Sequence, residues 1–488
     1  MMFSEMKDNK FALLATLLLG LSHMCMFVGY DTGSFIVESV VQSVHDREPD
    51  KFNEHAGYYS QAIVNAFYMV GNVVAPAVLC FLSAKWSMFI GSLFFTMSFL
   101  SYLVMDENLI YTTSAFLGIF FAVFNTGYSS YITQISTPAT IEKVNGLEWS
   151  IACFSTLVGG ILYIPLTMLD PNSMKPTVYR EYSDMQIKCM YTAFACISIL
   201  SNLIFCCLPN RQVDNSISSI AEGREQSKDG KIKAIGQSIW LTLSSFADPL
   251  ILQLTPHFIY VGFQNSVWLS IYPTAIQFTE SLSHYIFATA YYGMMYGSVG
   301  TLMGPLSRRI NHFGQKPCLY LALTVQTICA LLILLSTPPA STTTPNNDES
   351  LLIPPNLPTI LLLGFLFGIL DSLNNTNRIV MCVMAAPNKR PQAFAIARFY
   401  QALAGSVLLF CSPLMSTYTL LGTEAINCII GAFFFLRVVR LLRETPKRAQ
   451  SISSIASDET IPTDVEVESP IQETHTIDEN GNALSTSL

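Results

Sequence analysis

Residues 11–30 read FALLATLLLGLSHMCMFVGY, a run without a single aspartate, glutamate, lysine or arginine. A bilayer core about 30 Å thick is crossed by roughly 20 apolar residues in a helix, so this run predicts a membrane-spanning helix. Similar runs recur as far as about Val439, in a chain that is 51% hydrophobic and only 12% charged. Their continuity excludes the alternating strands of a membrane barrel. The sequence therefore predicts an all-α polytopic membrane protein.

Twelve membrane spans are predicted, and they group into two bundles of six helices. The spans are 11–30, 58–82, 86–105, 109–132, 144–168, 187–208, 249–275, 285–305, 317–336, 357–381, 393–416 and 418–439. The first is read as a retained signal anchor, because no convincing small-residue cleavage site follows it. The domains are then a cytoplasmic N-terminus (1–10), a first bundle (11–208), a cytoplasmic linker (209–245), a second bundle (246–440) and a disordered cytoplasmic tail (441–488).

The distribution of lysine and arginine predicts the orientation, because these residues stay on the cytoplasmic side. With both termini inside, the outer loops hold only Arg47, Lys51, Lys175, Arg180 and Lys188 of the 26 lysines and arginines. The chain is expected in the plasma membrane or an endomembrane, with the lipid bilayer around it. No basic stripe indicates nucleic acid. No Walker loop, dinucleotide fingerprint, metal cluster or nucleophile elbow indicates a cofactor or an enzyme.

The two halves repeat one another at an offset of 250 residues. Gly118 stands seven residues before Asn125, and Gly368 stands seven before Asn375. Two parallel six-helix repeats that are joined by a cytoplasmic linker are typical of the major facilitator fold, in which a site at mid-membrane lies between the halves.

Polar residues inside the predicted spans are the candidates for such a site, because a charged group there costs about 2.5 to 3.5 kcal/mol. Helical spacing places Asp371, Asn374 and Asn375 on one face of the tenth span. Together with Asn125 of the repeat, they are predicted to line a central cavity, where they coordinate a cation or accept a proton. The alternative is that Asp371 simply bonds to a neighbouring helix.

Two further sets of residues are candidates. Glu148 and Arg398 hold equivalent repeat positions near the inner helix ends, where they either pair as a cytoplasmic gate or anchor the helices in the headgroup region. Asp31 in the first span, with Gln264 and Asn265 in the seventh, either lines the outer mouth of the cavity or caps a helix end.

Short motifs are spread in order through both halves. In the first half they are Lys85–Met88, Gly91–Leu93, Tyr111–Gly118, Asn125–Gly127, Tyr131–Thr133 and Asn145–Gly146. In the second half they are Gly262–Asn265, Gly368–Thr376, Ala393–Phe394 and Arg398–Leu403. This ordered set resembles the Unc-ninety-three-like family, the ion channel regulatory proteins within the major facilitator superfamily.

The resemblance implies a membrane protein that regulates or escorts a partner, such as a potassium channel subunit or a trafficked receptor. The alternative is a secondary transporter that moves a small solute or cation through a central cavity. The fold alone does not decide between these functions.

Overall fold

The computed structural model describes residues 6–79, 81–170, 178–222, 231–313, 315–386, 389–458, 476–477 and 483–484. The chain divides into two compact units, Met1–Arg440 and Leu441–Leu488. The division lies where the sequence places the start of the tail. In the second unit, β1 (Thr476–Ile477) and β2 (Ala483–Leu484) form an antiparallel pair. The disorder expected of residues 441–488 stays a prediction, since most of them lie outside the described residues.

The first half of the large unit consists of helices. They are α1 (Asp8–Arg47), α2 (Ala56–Val78), α3 (Ala84–Val104), α4 (Glu107–Ile135), α5 (Ile141–Ala152), α6 (Phe154–Thr167) and α7 (Asp184–Cys207). Helices α5 and α6 follow one another around Cys153 and together form the fifth span.

The linker and the second half are also helical. They comprise α8 (Ile217–Glu222), α9 (Lys231–Ser245), α10 (Pro249–Ser266), a π-helical turn (Val267–Ile271), α11 (Tyr272–Phe278), a 3₁₀ turn (Glu280–Leu282), α12 (Ala288–Phe313), α13 (Gln315–Ser336), α14 (Leu357–Ala385), α15 (Arg390–Cys411), a 3₁₀ turn (Ser412–Leu414) and α16 (Thr417–Asp458). Within the predicted linker, α9 packs against α2 and α15.

Membrane-length helices account for most of the predicted spans. Within the described residues, 10 helices are long and apolar enough to cross a membrane. The predicted seventh span corresponds to α10, the π-helical turn and α11, and the eighth corresponds to α12; neither is among those 10. The all-α polytopic fold is confirmed.

The first helix is much longer than the predicted span of 11–30. It contains 40 residues and continues past Asp31 to Arg47. Every residue from Asp31 to Val44 is buried, including Glu38 and Gln42. These polar side chains face other helices and not lipid, so low hydropathy here does not mark a loop. The prediction that Asp31 lies at the outer end of its span is wrong for this reason.

The repeat inferred from the glycines corresponds to equivalent packing in the two halves. A Cβ atom on Gly118 of α4 would lie 2.3 Å from the Val64 carbonyl oxygen of α2. A Cβ atom on Gly368 of α14 would lie 2.8 Å from the Tyr296 carbonyl oxygen of α12. In each half the fourth span therefore approaches the backbone of the second span through a glycine, as small residues allow in membranes.

The halves meet through pseudo-equivalent helices. The second span of the first half, α2, packs against α15, which is the fifth span of the second half. Conversely, α5 and α6 pack against α12. Polar residues at these contacts lie between the two repeats, which is where the major facilitator fold places its site.

Candidate functional site

Two buried carboxyl groups face the interface between the halves. Asp31 of α1 is 8% exposed and accepts a hydrogen bond of 2.7 Å from the Ser155 hydroxyl. Asp371 of α14 is 7% exposed and accepts one of 3.0 Å from the Tyr296 hydroxyl. The two carboxyl groups lie close enough for their charges to interact across the interface. The structure thus brings together predicted residues from both halves.

Glycines in α12 make this approach of the halves possible. A Cβ atom on Gly297 would lie 2.1 Å from the Thr156 hydroxyl, and one on Gly300 would lie 3.1 Å from the Cys153 sulfur. Cys153 lies near both Asp31 and Asp371. Glycines at these positions therefore let α12 of the second half approach α5 and α6 of the first half closely, beside both carboxyl groups.

An aromatic stack forms the wall beside Asp371. The rings of Trp268 and Tyr296 are stacked with centroids 4.0 Å apart and an angle of 17°. Trp268 lies in the π-helical turn and donates to the Asn265 side-chain oxygen over 3.1 Å. A π turn changes the direction of the following side chains, and such turns are frequent at functional sites. Asn265 thus orients the tryptophan that supports the tyrosine partner of Asp371.

The polar residues that are predicted to share one face of α14 lie in two different environments. Asn375 accepts a hydrogen bond of 2.9 Å from Arg378 and belongs to the interface region with Asp371. Asn374 is fully buried and donates to the Tyr260 hydroxyl over 3.5 Å, inside the second half. A shared helical face therefore does not place Asn374 in the same site as Asp371.

The remaining predicted cavity residues lie on α4 and α10. Asn125 donates to the Tyr68 hydroxyl over 3.2 Å and so joins α4 to α2. Gln264 is fully buried, and its amide makes no hydrogen bond within the described part of the chain. It lies two residues before the end of α10, and its side chain does not cap that end.

Glu148 belongs to a buried cluster within the first half. It is fully buried in α5, so it is not an anchor in the headgroup region. Its carboxylate accepts from His23 of α1 at 2.7 Å and from the Tyr128 hydroxyl of α4. The gate predicted with Arg398 is not formed here: among the described residues Arg398 has no ion pair. Arg398 does interact electrostatically with Tyr128.

We expect Glu148→Ala to lower the free energy of unfolding by about 3 kcal/mol or more. The change leaves the buried His23 and Tyr128 without their acceptor, which is the costly way to break a buried pair. Unfolding of the purified chain in detergent measures the effect. Glu142→Ala, on the exposed face of the same helix, should stay within about 0.5 kcal/mol. Equal losses in both variants would contradict the role of the cluster.

Hydrogen bonds between the halves close one end of the interface. We call the end of the bundle at which α1 ends the distal end, and the end at which α1 begins the proximal end. The distal bonds run from Gln277 Nε2 to the Phe35 carbonyl (2.7 Å), from Tyr182 to Gln277 Oε1 (2.7 Å), from Tyr58 to the Thr342 carbonyl (2.8 Å), from Ser406 to the Ala62 carbonyl (2.9 Å) and from Ser270 to Gln61. These bonds hold the two halves together at the distal end.

A buried glutamate fixes the start of α2 at the distal end. Glu38 accepts hydrogen bonds from the Tyr58 amide (2.7 Å) and from His55 Nδ1 (3.1 Å). Burial of His55 disfavours its charged form, but the hydrogen bond and charge of Glu38 outweigh that effect, so the pKa of His55 is raised. The His55–Glu38 contact thus lies next to the hydrogen bonds between the halves.

Several buried ionisable residues were missed by the sequence analysis. The predicted first span ends before Glu38 and so places it in a loop, and His23 lies inside the apolar run 11–30. Glu424, 1% exposed in α16, was overlooked although it is a carboxyl group inside a predicted span. A search of the spans for every ionisable side chain finds Glu424, His23 and Arg378.

The chain matches the model of a known protein family and two curated relatives. The family model described as "Ion channel regulatory protein UNC-93" matches residues 48–436. The UNC93-like protein MFSD11 of Xenopus laevis is 25% identical over 436 residues, which cover 86% of this chain and 94% of that protein. The MFSD11 protein of Xenopus tropicalis is 24% identical over 437 residues, which cover the same shares.

Solved transporters share the fold at low sequence identity. The peptide transporter POT in complex with sulfate superposes with a TM-score of 0.60, at 11% identity, over 91% of this chain and 99% of that chain. The xylose transporter XylE from E. coli, in an inward-open conformation, gives a TM-score of 0.60 at 14% identity, over 88% and 96% of the two chains. FucP, a major facilitator superfamily transporter in the outward conformation, gives a TM-score of 0.56 at 12% identity, over 88% of this chain and 99% of that chain. These likenesses establish the major facilitator fold.

Proposed function

Because the chain belongs to the UNC-93 family and has the major facilitator fold, we propose that it is a secondary transporter of a small charged solute or cation. The observation that carries the proposal is the buried pair Asp31 and Asp371, one from each half. A charged residue inside a membrane bundle is costly and marks ion or substrate pathways.

The carboxyl pair suits a site that takes up a cation or a proton. Two ionised carboxylates repel one another in a low-dielectric interior, so the pair gains stability when a positive charge joins it. Ser155 donates a hydrogen bond to Asp31, and Tyr296 donates one to Asp371. Each bond holds its carboxyl group in position. In the proposed cycle, the distal hydrogen bonds break and the two halves rock about this site, which then opens to the distal side.

Reconstitution into sealed vesicles tests the proposal. Purified full-length chain is placed in vesicles that contain a pH-sensitive dye, and a pH or sodium gradient is imposed while solutes are added outside. Solute-dependent movement of protons or sodium above that of empty vesicles supports transport. A protein that is folded by size-exclusion chromatography but moves neither ion with any solute contradicts it.

A second candidate is regulation or escort of an ion channel, potassium-selective or other, or of a receptor. The match of the ion channel regulatory family model to residues 48–436 favours it, because that range covers nearly all of the membrane unit. Purification from native membranes in mild detergent tests this function. A channel or receptor subunit in near-equal amount supports regulation, whereas recovery of the chain alone contradicts it. Both functions are non-enzymatic.

The proximal end is proposed to face the cytoplasm. The positive-inside distribution of lysine and arginine supports this orientation, since few of these residues lie in the distal loops. In the proposed cycle the solute leaves the central site toward the cytoplasm while the distal hydrogen bonds hold the halves together at the other end.

A further inference from the structure

Two arginines lie in the second half, on the proximal side of Asp371. Arg378 is two turns after Asp371 in α14, and Arg398 is in the first half of α15. Both are partly buried, and their charges are close enough to repel one another. Like charges in a low-dielectric region raise the free energy unless an opposite charge accompanies them.

Neutral side chains accept the hydrogen bonds of Arg378. Arg378 donates to the Asn375 oxygen over 2.9 Å and to the Gln401 oxygen. Its Nε atom is buried and has no hydrogen-bond partner among the described residues. No ion pair in that part of the chain includes Arg378 or Arg398. The amide oxygens carry no charge, and Asp371, whose charge interacts with Arg378, is one carboxylate beside two guanidinium groups.

The first half contributes further donors opposite the arginines. Tyr68 of α2 lies near Arg378. Its hydroxyl oxygen accepts a hydrogen bond from Asn125, so the hydroxyl proton is free to be donated elsewhere. The hydroxyl of Tyr128, which donates to Glu148, interacts with Arg398. Tyr68 of the first half thus lies near Arg378 of the second half, where α2 packs against α15.

We propose that Arg378, Arg398 and Tyr68 bind an oxyanion, a carboxylate or phosphate group of the transported solute. The planar guanidinium group matches the geometry of a carboxylate or phosphate. The negative charge of that oxyanion would compensate the positive charge of the arginines. This inference rests on the proposed transport function and narrows it to small organic or inorganic anions. A monovalent anion on the arginines and a proton on the Asp31–Asp371 pair together carry no net charge, which lowers the cost of crossing the membrane interior.

Thermal unfolding of the full-length chain in detergent tests the anion site. The probes are succinate, inorganic phosphate and acetate, with sodium chloride and choline chloride at equal ionic strength. We expect at least one oxyanion to raise the unfolding midpoint in a saturable way, because a ligand that binds only the folded chain stabilises it. Arg378→Gln and Arg398→Gln should weaken the apparent affinity about tenfold or more, as expected when a charged hydrogen bond is lost.

Matched variants distinguish a loss of anion binding from a loss of folded protein. Arg437→Gln removes an exposed arginine of α16 and should retain the full anion effect. Tyr68→Phe removes one donor without a change of charge and should weaken the affinity by a smaller factor, which keeps the test open if an arginine variant does not fold. The proposal is overturned if no oxyanion stabilises the chain more than chloride, or if all variants respond like the unaltered chain.

Transport and anion binding can fail separately. If oxyanions stabilise the chain through the arginines but drive no flux in vesicles, the anion site stands and the transport function fails. If a cationic solute drives flux and oxyanions do not bind, transport stands and the anion site fails.

Discussion

Asp371→Asn is expected to reduce solute-driven flux by at least about 100-fold while the chain stays folded. The amide cannot take up a proton or carry the negative charge that attracts a cation, so the carboxyl pair loses its function. Asparagine is nearly isosteric and can still accept the hydrogen bond from Tyr296. A charged group inside a span costs about 2.5 to 3.5 kcal/mol, so the unfolding midpoint should be unchanged or higher.

Flux in vesicles and unfolding of the same preparation measure both parts of this expectation. Asp348→Asn, in an exposed loop, is the control and should change neither quantity. Unchanged flux in Asp371→Asn would contradict a role in transport. A loss of flux that follows a loss of folded protein would instead assign Asp371 to structure. If the chain regulates a partner without transport, Asp371→Asn should leave co-purification with that partner intact.

Gly262→Ala is expected to lower the free energy of unfolding by about 3 kcal/mol or more. A Cβ atom at this position of α10 would lie 2.2 Å from the Gln401 carbonyl oxygen and 2.9 Å from its carbon. Both atoms belong to the backbone of α15, so the helices must separate, which makes this overpacking severe. Gly118→Ala should have a similar effect, since its Cβ atom would lie 2.3 Å from the Val64 carbonyl oxygen.

The fraction of monodisperse protein after extraction and its unfolding midpoint measure this loss. Gly422→Ala is the matched control, because a Cβ atom there meets nothing within 4 Å. Alanine favours a helix over glycine by about 1 kcal/mol, so this variant should be as stable or more stable. If Gly262→Ala and Gly422→Ala behave alike, the close approach of α10 and α15 is not required for folding.

The fold was predictable because long apolar runs and repeated glycines depend on local sequence. A run such as residues 11–30 specifies a spanning helix by its length alone. The correspondence of Gly118 and Gly368 predicted the repeat, and both glycines pack a fourth span onto a second span. Boundaries were harder to predict. The segment from Asp31 to Arg47 contains many polar residues, which hydropathy assigns to a loop although the other helices bury most of them.

Pairs in the site were less predictable than single residues. Asp371 was identified by its charge alone, and the structure places it at the interface of the halves. Glu148 and Arg398 were paired because they share a repeat position, but equivalent positions in two repeats do not have to face each other. The contact of Glu148 with His23 depends on the crossing of α5 and α1. Periodicity along one helix does not contain that information.

The length of α1 links the central site to the surface of the protein. At 1.5 Å per residue, its 40 residues extend for about 60 Å, twice the hydrocarbon thickness. Asp31 and the distal residues Glu38 and Arg47 therefore belong to one stiff rod. If the rod tilts when the site is occupied, its distal tip moves furthest. An antibody fragment that binds this tip in only one conformation would then change the affinity of the central site for its solute. By thermodynamic reciprocity, the solute must change the affinity of the fragment for the tip by the same factor.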